Sequence, residues 1–213
     1  MNKIKEIYEL LLKEFKEQGW WPISGKYFNN YIKPENEKDI LEICLGAILT
    51  QNTSWRNVEK ALVELNENKL IDLNNLKKID VKKLAEIIKS SGYNNQKARK
   101  IKEFVKFLDS GKEINRENLL EIWGIGPETA DSILLYAYKK PIFVIDFYTK
   151  RIFNRIGFKE DSYLDLQSLF MKNLDSDFRL FNEYHALLVK LGKDTCKKEP
   201  LCEKCPLSKI CEF

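Results

Sequence analysis

Asp146 closes the apolar run Ile142 to Ile145 and stands just ahead of a helical pattern, where a lone carboxylate can stabilise positive charge or orient a water. Upstream lies the turn Gly124-Ile125-Gly126-Pro127, set between two apolar segments. Glycines two apart let backbone amides approach a ligand, and Pro127 suits the first turn of the following helix. Amides at such a helix start, with the helix dipole, match a phosphate oxygen, although an ordinary tight helical corner would use the same residues. A third group is Cys196, Cys202, Cys205 and Cys211, separated by gaps of five, two and five residues. One CxxC flanked symmetrically by single cysteines differs from the paired knuckles of a zinc ribbon. It favours a structural [4Fe-4S] cluster, with zinc as the alternative.

These residues are carried by helical patterns. Ile4, Ile7, Tyr8, Leu11, Leu12 and Phe15 form one stripe over residues 2–18, and Gly19 ends it. Trp20-Trp21-Pro22 opens a polar loop running to about Glu37; adjacent tryptophans there must pack or bind something flat. From Asp39 a nearly continuous apolar segment reads as a buried helix with Cys44 in its core. It breaks at Thr50-Gln51-Asn52-Thr53, and Ser54 can cap the next helix. Gln51 and Asn52 therefore sit between a helix end and a helix start, where ordinary capping is the plain explanation. Short capped helices fill residues 70–91, and a basic helix follows with Ala98, Ile101, Phe104, Val105 and Leu108 on its buried side. A helix over Arg116 to Trp123 and another over Thr129 to Tyr138 frame the glycine turn as a helix-hairpin-helix. Three further helical patterns follow Asp146, and no useful period-2 alternation appears anywhere. The expectation is an all-α protein of about ten helices.

Composition agrees. Of 213 residues, 44% are hydrophobic and 32% charged, with 9 Gly and 6 Pro, which describes an ordered helical globule rather than a disordered chain. The N-terminal segment mixes Lys and Glu with apolar residues, so it reads as neither a secretory signal nor a membrane span, and a cytoplasmic protein without membrane partners is expected. Four of the five cysteines fall in the last 18 residues, and in an intracellular chain that signals metal before disulfides. The net charge of +4 is too small to establish a nucleic-acid partner. Residues 89–112 carry a local surplus of +5, a solvated face or a phosphate-binding stripe. His185, the only histidine, reads as a structural residue; Lys150 and Arg151, one turn past Asp146, could neutralise phosphate or pair with acids.

The order GIGPETA, ValIleAsp and then the cysteine quartet resembles the endonuclease III superfamily of helix-hairpin-helix base-excision DNA glycosylases, over nearly the whole chain. TrpTrpPro together with GlnAsnThrSerTrp is most similar to its branch of 3-methyladenine DNA glycosylases. The resemblance implies double-stranded DNA with a damaged base as partner and an iron-sulfur cofactor; a monomer is expected. It makes Asp146 the catalytic carboxylate at the mouth of a cleft, and Gln51 the residue filling the gap left by a flipped nucleotide, with Asn52 beside it. It matches Gly124 and Gly126 to the phosphate-holding hairpin; Thr129 and Lys150 are further candidate DNA contacts beside it. Trp21 and Trp55 match the aromatic base pocket, and Trp20 is a secondary candidate. Bifunctional members carry a lysine immediately before the ThrAla of the hairpin, where this chain has Glu128. A carboxylate forms no imine, so a monofunctional enzyme using water is expected.

Two helical lobes are expected: residues 36–137 containing the hairpin, and residues 1–35 with 138–213, closed by the four-cysteine cluster. Alkylated purines such as 3-methyladenine are the leading substrates, because electron-rich rings favour a cationic base. Uracil or mismatched thymine is the alternative, with Asn52 or Lys150 supplying hydrogen bonds. A DNA-binding module without catalysis, in which Asp146 is only a helix cap, is the third possibility.

Overall fold

The computed structural model describes residues 2–28, 31 and 33–213. Asn29, Asn30 and Ile32 of the expected polar loop lie outside the described residues. Among the described residues there are eleven α-helices and no strand, only an isolated bridge between Ile23 and Lys26. The all-α expectation therefore holds. None of these helices is long and apolar enough to cross a membrane. The chain divides into two compact units.

The larger-core unit comprises Trp21–Lys26 and Ile32–Tyr138. Its centre is α2 (Glu37–Leu49), whose first turn is fixed by Asn36 accepting the Asp39 amide at 3.0 Å. Ile43, Leu45, Ile48 and Leu49 are all at most 1% exposed, as expected when apolar residues surround a helix on every side. Around it pack α3 (Trp55–Glu67), α6 (Asn94–Asp109) and a π-helical turn Ile133–Ala137. The short helices α4 (Leu73–Lys78) and α5 (Val81–Ile87) lean on α6. Helix α7 (Arg116–Leu120) and helix α8 (Pro127–Ser132) form the hairpin. The helix expected through Tyr138 is α-helical only to Ser132 and then widens into the π turn, whose five residues are all buried. Such widened turns recur at functional sites.

The basic stretch in this unit is largely structural. Lys97 is only 2% exposed, and its Nζ donates to Leu49 O at 2.8 Å and Ser91 O at 2.6 Å. It thereby satisfies carbonyls at the end of α2 and in the 3₁₀ turn Lys89–Ser91 that no helix bond can reach. Burial, reinforced by the nearby Lys100 charge, pushes its ammonium down to about 8. Lys102 does the same for α4, donating to the carbonyls of Leu76, Lys77 and Ile79 at 2.7 to 2.9 Å. Arg99 covers the Trp123 ring at 4.1 Å and Lys106 pairs with Glu103. The buried face of α6 uses Phe107 where Leu108 was expected.

The second unit comprises Met1–Trp20, Tyr27–Tyr31 and Lys139–Phe213. Helix α1 (Lys3–Phe15) stops short of Gly19 because Lys16 adopts φ +60°. It packs with α10 (Tyr163–Asn173) and α11 (Phe178–Asp194), and α11 also packs on α9 (Phe147–Ile156). Their shared core is aromatic. Phe143 stacks on Phe170 at 3.8 Å between ring centres, Phe153 lies 4.6 Å from Phe170, and Tyr184 donates to Ile4 O at 2.8 Å. Gln167 donates to Phe143 O at 2.7 Å, which satisfies the extended segment leading to Asp146.

Candidate active site and DNA-binding elements

Phe143, Val144 and Ile145 are at most 1% exposed, so the segment before Asp146 is locked into the core and delivers the carboxylate to a defined place. Asp146 is the N-cap of α9, with extended backbone at φ −106° and ψ −179°. Its Oδ1 accepts from the Thr149 amide at 2.7 Å and the Thr149 hydroxyl at 2.8 Å. Two donors fix one oxygen and set the plane of the group, while Oδ2 faces the imidazole of His185, with Nε2 at 3.9 Å. The Asp146 side chain is 12% exposed, enough for a ligand to reach it. Thr149 and His185 were not singled out by sequence as its partners; the S/T/D-x-x-T spacing of a helix cap would have pointed to Thr149.

Lys150 lines an open groove with Phe147, Arg151, Asn154 and Arg155, in which Asp161 and Glu212 set two carboxylates against the three cations. Arg151 donates to Gly192 O at 2.7 Å and lies over the rings of Phe147 and Tyr148, so its charge is held in place rather than swinging in solvent. Phe147 is 68% exposed beside Asp146.

In the other unit the hairpin is tied together at several points. Gly124 adopts φ +83°, where a Cβ would meet the Lys100 side chain at 2.5 to 2.8 Å, so glycine answers both the backbone and the packing demand. Gly126 is the N-cap of α8 and Pro127 occupies its first turn. Arg116 Nε pairs with the fully buried Asp131 at 2.8 Å, joining α7 to α8. Gln51 Nε2 donates to Thr129 Oγ1 at 2.9 Å and to Gly124 O at 3.1 Å, and its Oε1 accepts from Lys100. Both ends of the Gln51 amide are thus engaged by the hairpin and α6. Asn52 is exposed with φ +53°, a left-handed turn position that asparagine tolerates. Glu128 is exposed in the first turn of α8.

The tryptophans separate. Trp21 is 9% exposed and meets Trp55 edge-on at 5.2 Å and Tyr136 at 5.1 Å. Its indole lies over Gly46, where an added Cβ would stand 3.0 Å from Cζ2. Trp55 is half-buried. Trp20 belongs to the other unit and lies 6.0 Å from Tyr27. Tyr136, a member of the aromatic cluster, was not singled out by sequence, where it looked like one more apolar helix residue.

Cys196, Cys202, Cys205 and Cys211 line one small pocket with Arg155, Thr195, Leu201 and Phe213. Arg155 Nη1 donates to Cys196 Sγ at 3.3 Å, and Cys211 Sγ donates to Arg155 O at 3.3 Å. Burial raises the Cys205 thiol, a backbone hydrogen bond from Leu207 offsets part of this, and the three neighbouring cysteines raise it further. Among the described residues no three His, Cys, Asp or Glu side chains close on a single metal position. The donor set nonetheless fits a four-thiolate centre: four sulfurs on one pocket, one already receiving the kind of N–H hydrogen bond that supports a bound thiolate. Cys44, in contrast, is buried alone in α2, and burial raises its thiol far above the ordinary range.

A family model described as HhH-GPD superfamily base excision DNA repair protein matches residues 45–175. A predicted DNA repair glycosylase of Methanocaldococcus jannaschii is 39% identical, over 98% of this chain and 95% of that protein. Endonuclease III of Sulfolobus acidocaldarius is 32% identical over 100% and 97%. Among solved structures, the 3-methyladenine DNA glycosylase of H. pylori, bound to 1,N6-ethenoadenine, superposes with a TM-score of 0.74 and 27% identity, covering 91% of this chain and 98% of that one.

Proposed function

Because this chain belongs to the HhH-GPD superfamily of base excision DNA repair proteins, we propose that it is a monofunctional DNA glycosylase that releases alkylated purines, 3-methyladenine among them. The observation that carries this reading is the Asp146 carboxylate. One of its oxygens is pinned by Thr149, its side chain is partly open, and it ends a rigid buried segment.

Cleaving an N-glycosidic bond sends the bonding electron pair to the base and leaves positive charge on the deoxyribose. Ionised Asp146 offsets that charge and orients a water whose oxygen bonds to C1′ as its proton passes to the carboxylate. The base must first leave the stack, at a cost of a few kcal/mol that is smallest for damaged or mispaired bases. Gly124, Gly126 and Thr129 hold the strand through phosphate, with Asn52 beside them and Lys150 as a further contact; Gln51 fills the space of the flipped nucleotide. A 3-methylated purine is already cationic and leaves as a neutral base, so binding matters more than acid catalysis. The aromatic cluster of Trp21, Trp55 and Tyr136 supports such a ligand, electron-rich rings contributing ~0.5 to 2 kcal/mol toward a cation. Trp20 is the weaker pocket candidate, since it lies against Tyr27 and takes no part in the Trp21, Trp55 and Tyr136 cluster.

A panel of duplexes carrying 3-methyladenine, 1,N6-ethenoadenine, uracil or a mismatched thymine tests the substrate. Free methylated purine is the expected product; release of uracil or thymine alone overturns the substrate assignment.

Cys196, Cys202, Cys205 and Cys211 would hold a [4Fe-4S] cluster, with Arg155 hydrogen-bonded at its edge. Four protein ligands saturate such a group, so its contribution is to staple the C-terminal segment. Protein purified without oxygen should contain iron and labile sulfide in stoichiometric amounts. A colourless protein with one zinc per chain would assign the site to zinc instead.

A further inference from the structure

His185 lies on α11 with its side chain 9% exposed, and it presents Nε2 to Asp146 Oδ2 across 3.9 Å. That separation is too long for a hydrogen bond, yet short enough that protonating the ring would draw the two into a charge-assisted one. The neighbouring charges are committed elsewhere. On α11, Glu183 accepts from Tyr31 Oη at 2.5 Å and from the Gln18 amide at 2.7 Å, and Lys190 pairs with Asp194. On α9, Arg151 is bound to Gly192 O. On α1, Lys3 donates to Ile156 O, and Tyr8 packs on the ring of Tyr184. Among the described residues, Asp146 is the charged group that acts on the imidazole.

We propose that His185 is a positioning residue for Asp146: neutral, it walls Oδ2 and leaves the carboxylate charge for the sugar; protonated, it pairs with Oδ2 and withdraws that charge from the reaction. The proposal rests on the catalytic assignment of Asp146. Burial lowers the imidazole from its ordinary value of 6.5, and the Asp146 charge opposes this without reversing it. The neutral form is therefore the resting one at neutral pH. A ring with no partner charge would stay neutral to still lower pH, so the Asp146 carboxylate is what brings its protonation within reach. The geometry favours this pairing over simple packing in one respect: Thr149 occupies Oδ1 alone, which leaves the other oxygen facing the ring.

The chain contains 1 histidine, so its imidazole NMR signal needs no assignment. Titrated in wild type and in Asp146→Asn, that signal should move to a lower pKa in the variant, because the carboxylate that favours imidazolium is gone. An unchanged pKa overturns the proposal. The second arm is single-turnover release of 3-methyladenine, whose charge is fixed across the range. Wild type should lose rate on the acid side of the ordinary imidazole range as the ring protonates, whereas His185→Gln should hold its rate to lower pH, so that the variant-to-wild-type ratio rises as pH falls. Parallel profiles overturn the proposal, and His185→Asn serves if the Gln variant is unstable. Undiminished base release by Asp146→Asn instead removes the catalytic assignment itself, and this proposal with it, while the NMR titration still shows whether the two groups are coupled.

Discussion

Replacing Asp146 by Asn should slow base release by ~10²- to 10⁴-fold, the range associated with losing one positioned acid-base or electrostatic group. The variant is well suited to isolate chemistry from folding. Asparagine ranks with aspartate as an N-cap, so its side-chain oxygen can still accept from the Thr149 amide and hydroxyl that now hold Oδ1. What disappears is the negative charge, together with its attraction to the α9 dipole, worth about 0.3 to 1 kcal/mol. Urea unfolding should therefore show a loss of no more than about 1 kcal/mol. Activity would collapse on a nearly intact fold. If wild type and variant bind lesion-bearing DNA equally and neither releases base from any duplex of the panel, the chain is a DNA-binding module and Asp146 is only a cap.

Borohydride should trap no covalent protein-DNA adduct, and abasic product should stay uncleaved until alkali is added. Strand cleavage by a glycosylase requires an amine to attack C1′ and form an imine that the reductant fixes. The first turn of α8 presents Glu128 to solvent instead, and a carboxylate has no nitrogen lone pair with which to make that bond. A reduced adduct visible on a denaturing gel would refute monofunctionality. Lys150, four residues past Asp146, is the amine whose replacement by Ala would then be examined first.

Much of the architecture was legible before any coordinates. Period-3.6 apolar spacing identified nearly every long helix, since a helix in a globular protein must turn one stripe toward the core. Glycine, proline and asparagine marked where helices begin and end, because those residues answer demands of backbone geometry that are local. The ends were less accurate. Lys16 stops α1 by taking a left-handed conformation, and the π turn interrupts the helix after Ser132, neither of which side-chain type announces.

The fate of charge was the harder question. Seven cations in residues 89–112 looked alike in sequence. Lys97 became a buried staple and Lys102 a cap on α4, because their long stems reach carbonyl groups that other helices leave unsatisfied at their ends, while Lys100 clamps the side-chain amide of Gln51. Such a choice depends on which helix terminus arrives nearby, information that is nonlocal. The same holds for the two tryptophans. Adjacent residues on a turning backbone point apart, and Trp21, not Trp20, found the space over Gly46.

By itself, the sequence determined the all-α class, the glycine-proline hairpin, the four-cysteine module, the lone carboxylate after an apolar run, and the absence of a lysine before the hairpin's ThrAla. Each is a matter of residue type and short spacing, where local sterics and donor chemistry suffice. Only tertiary structure decided that Gln51 is held by Gly124 and Thr129, more than seventy residues away, and that His185 stands against Asp146. Both contacts exist because helix packing, driven by apolar faces far from the polar atoms concerned, brings those atoms together.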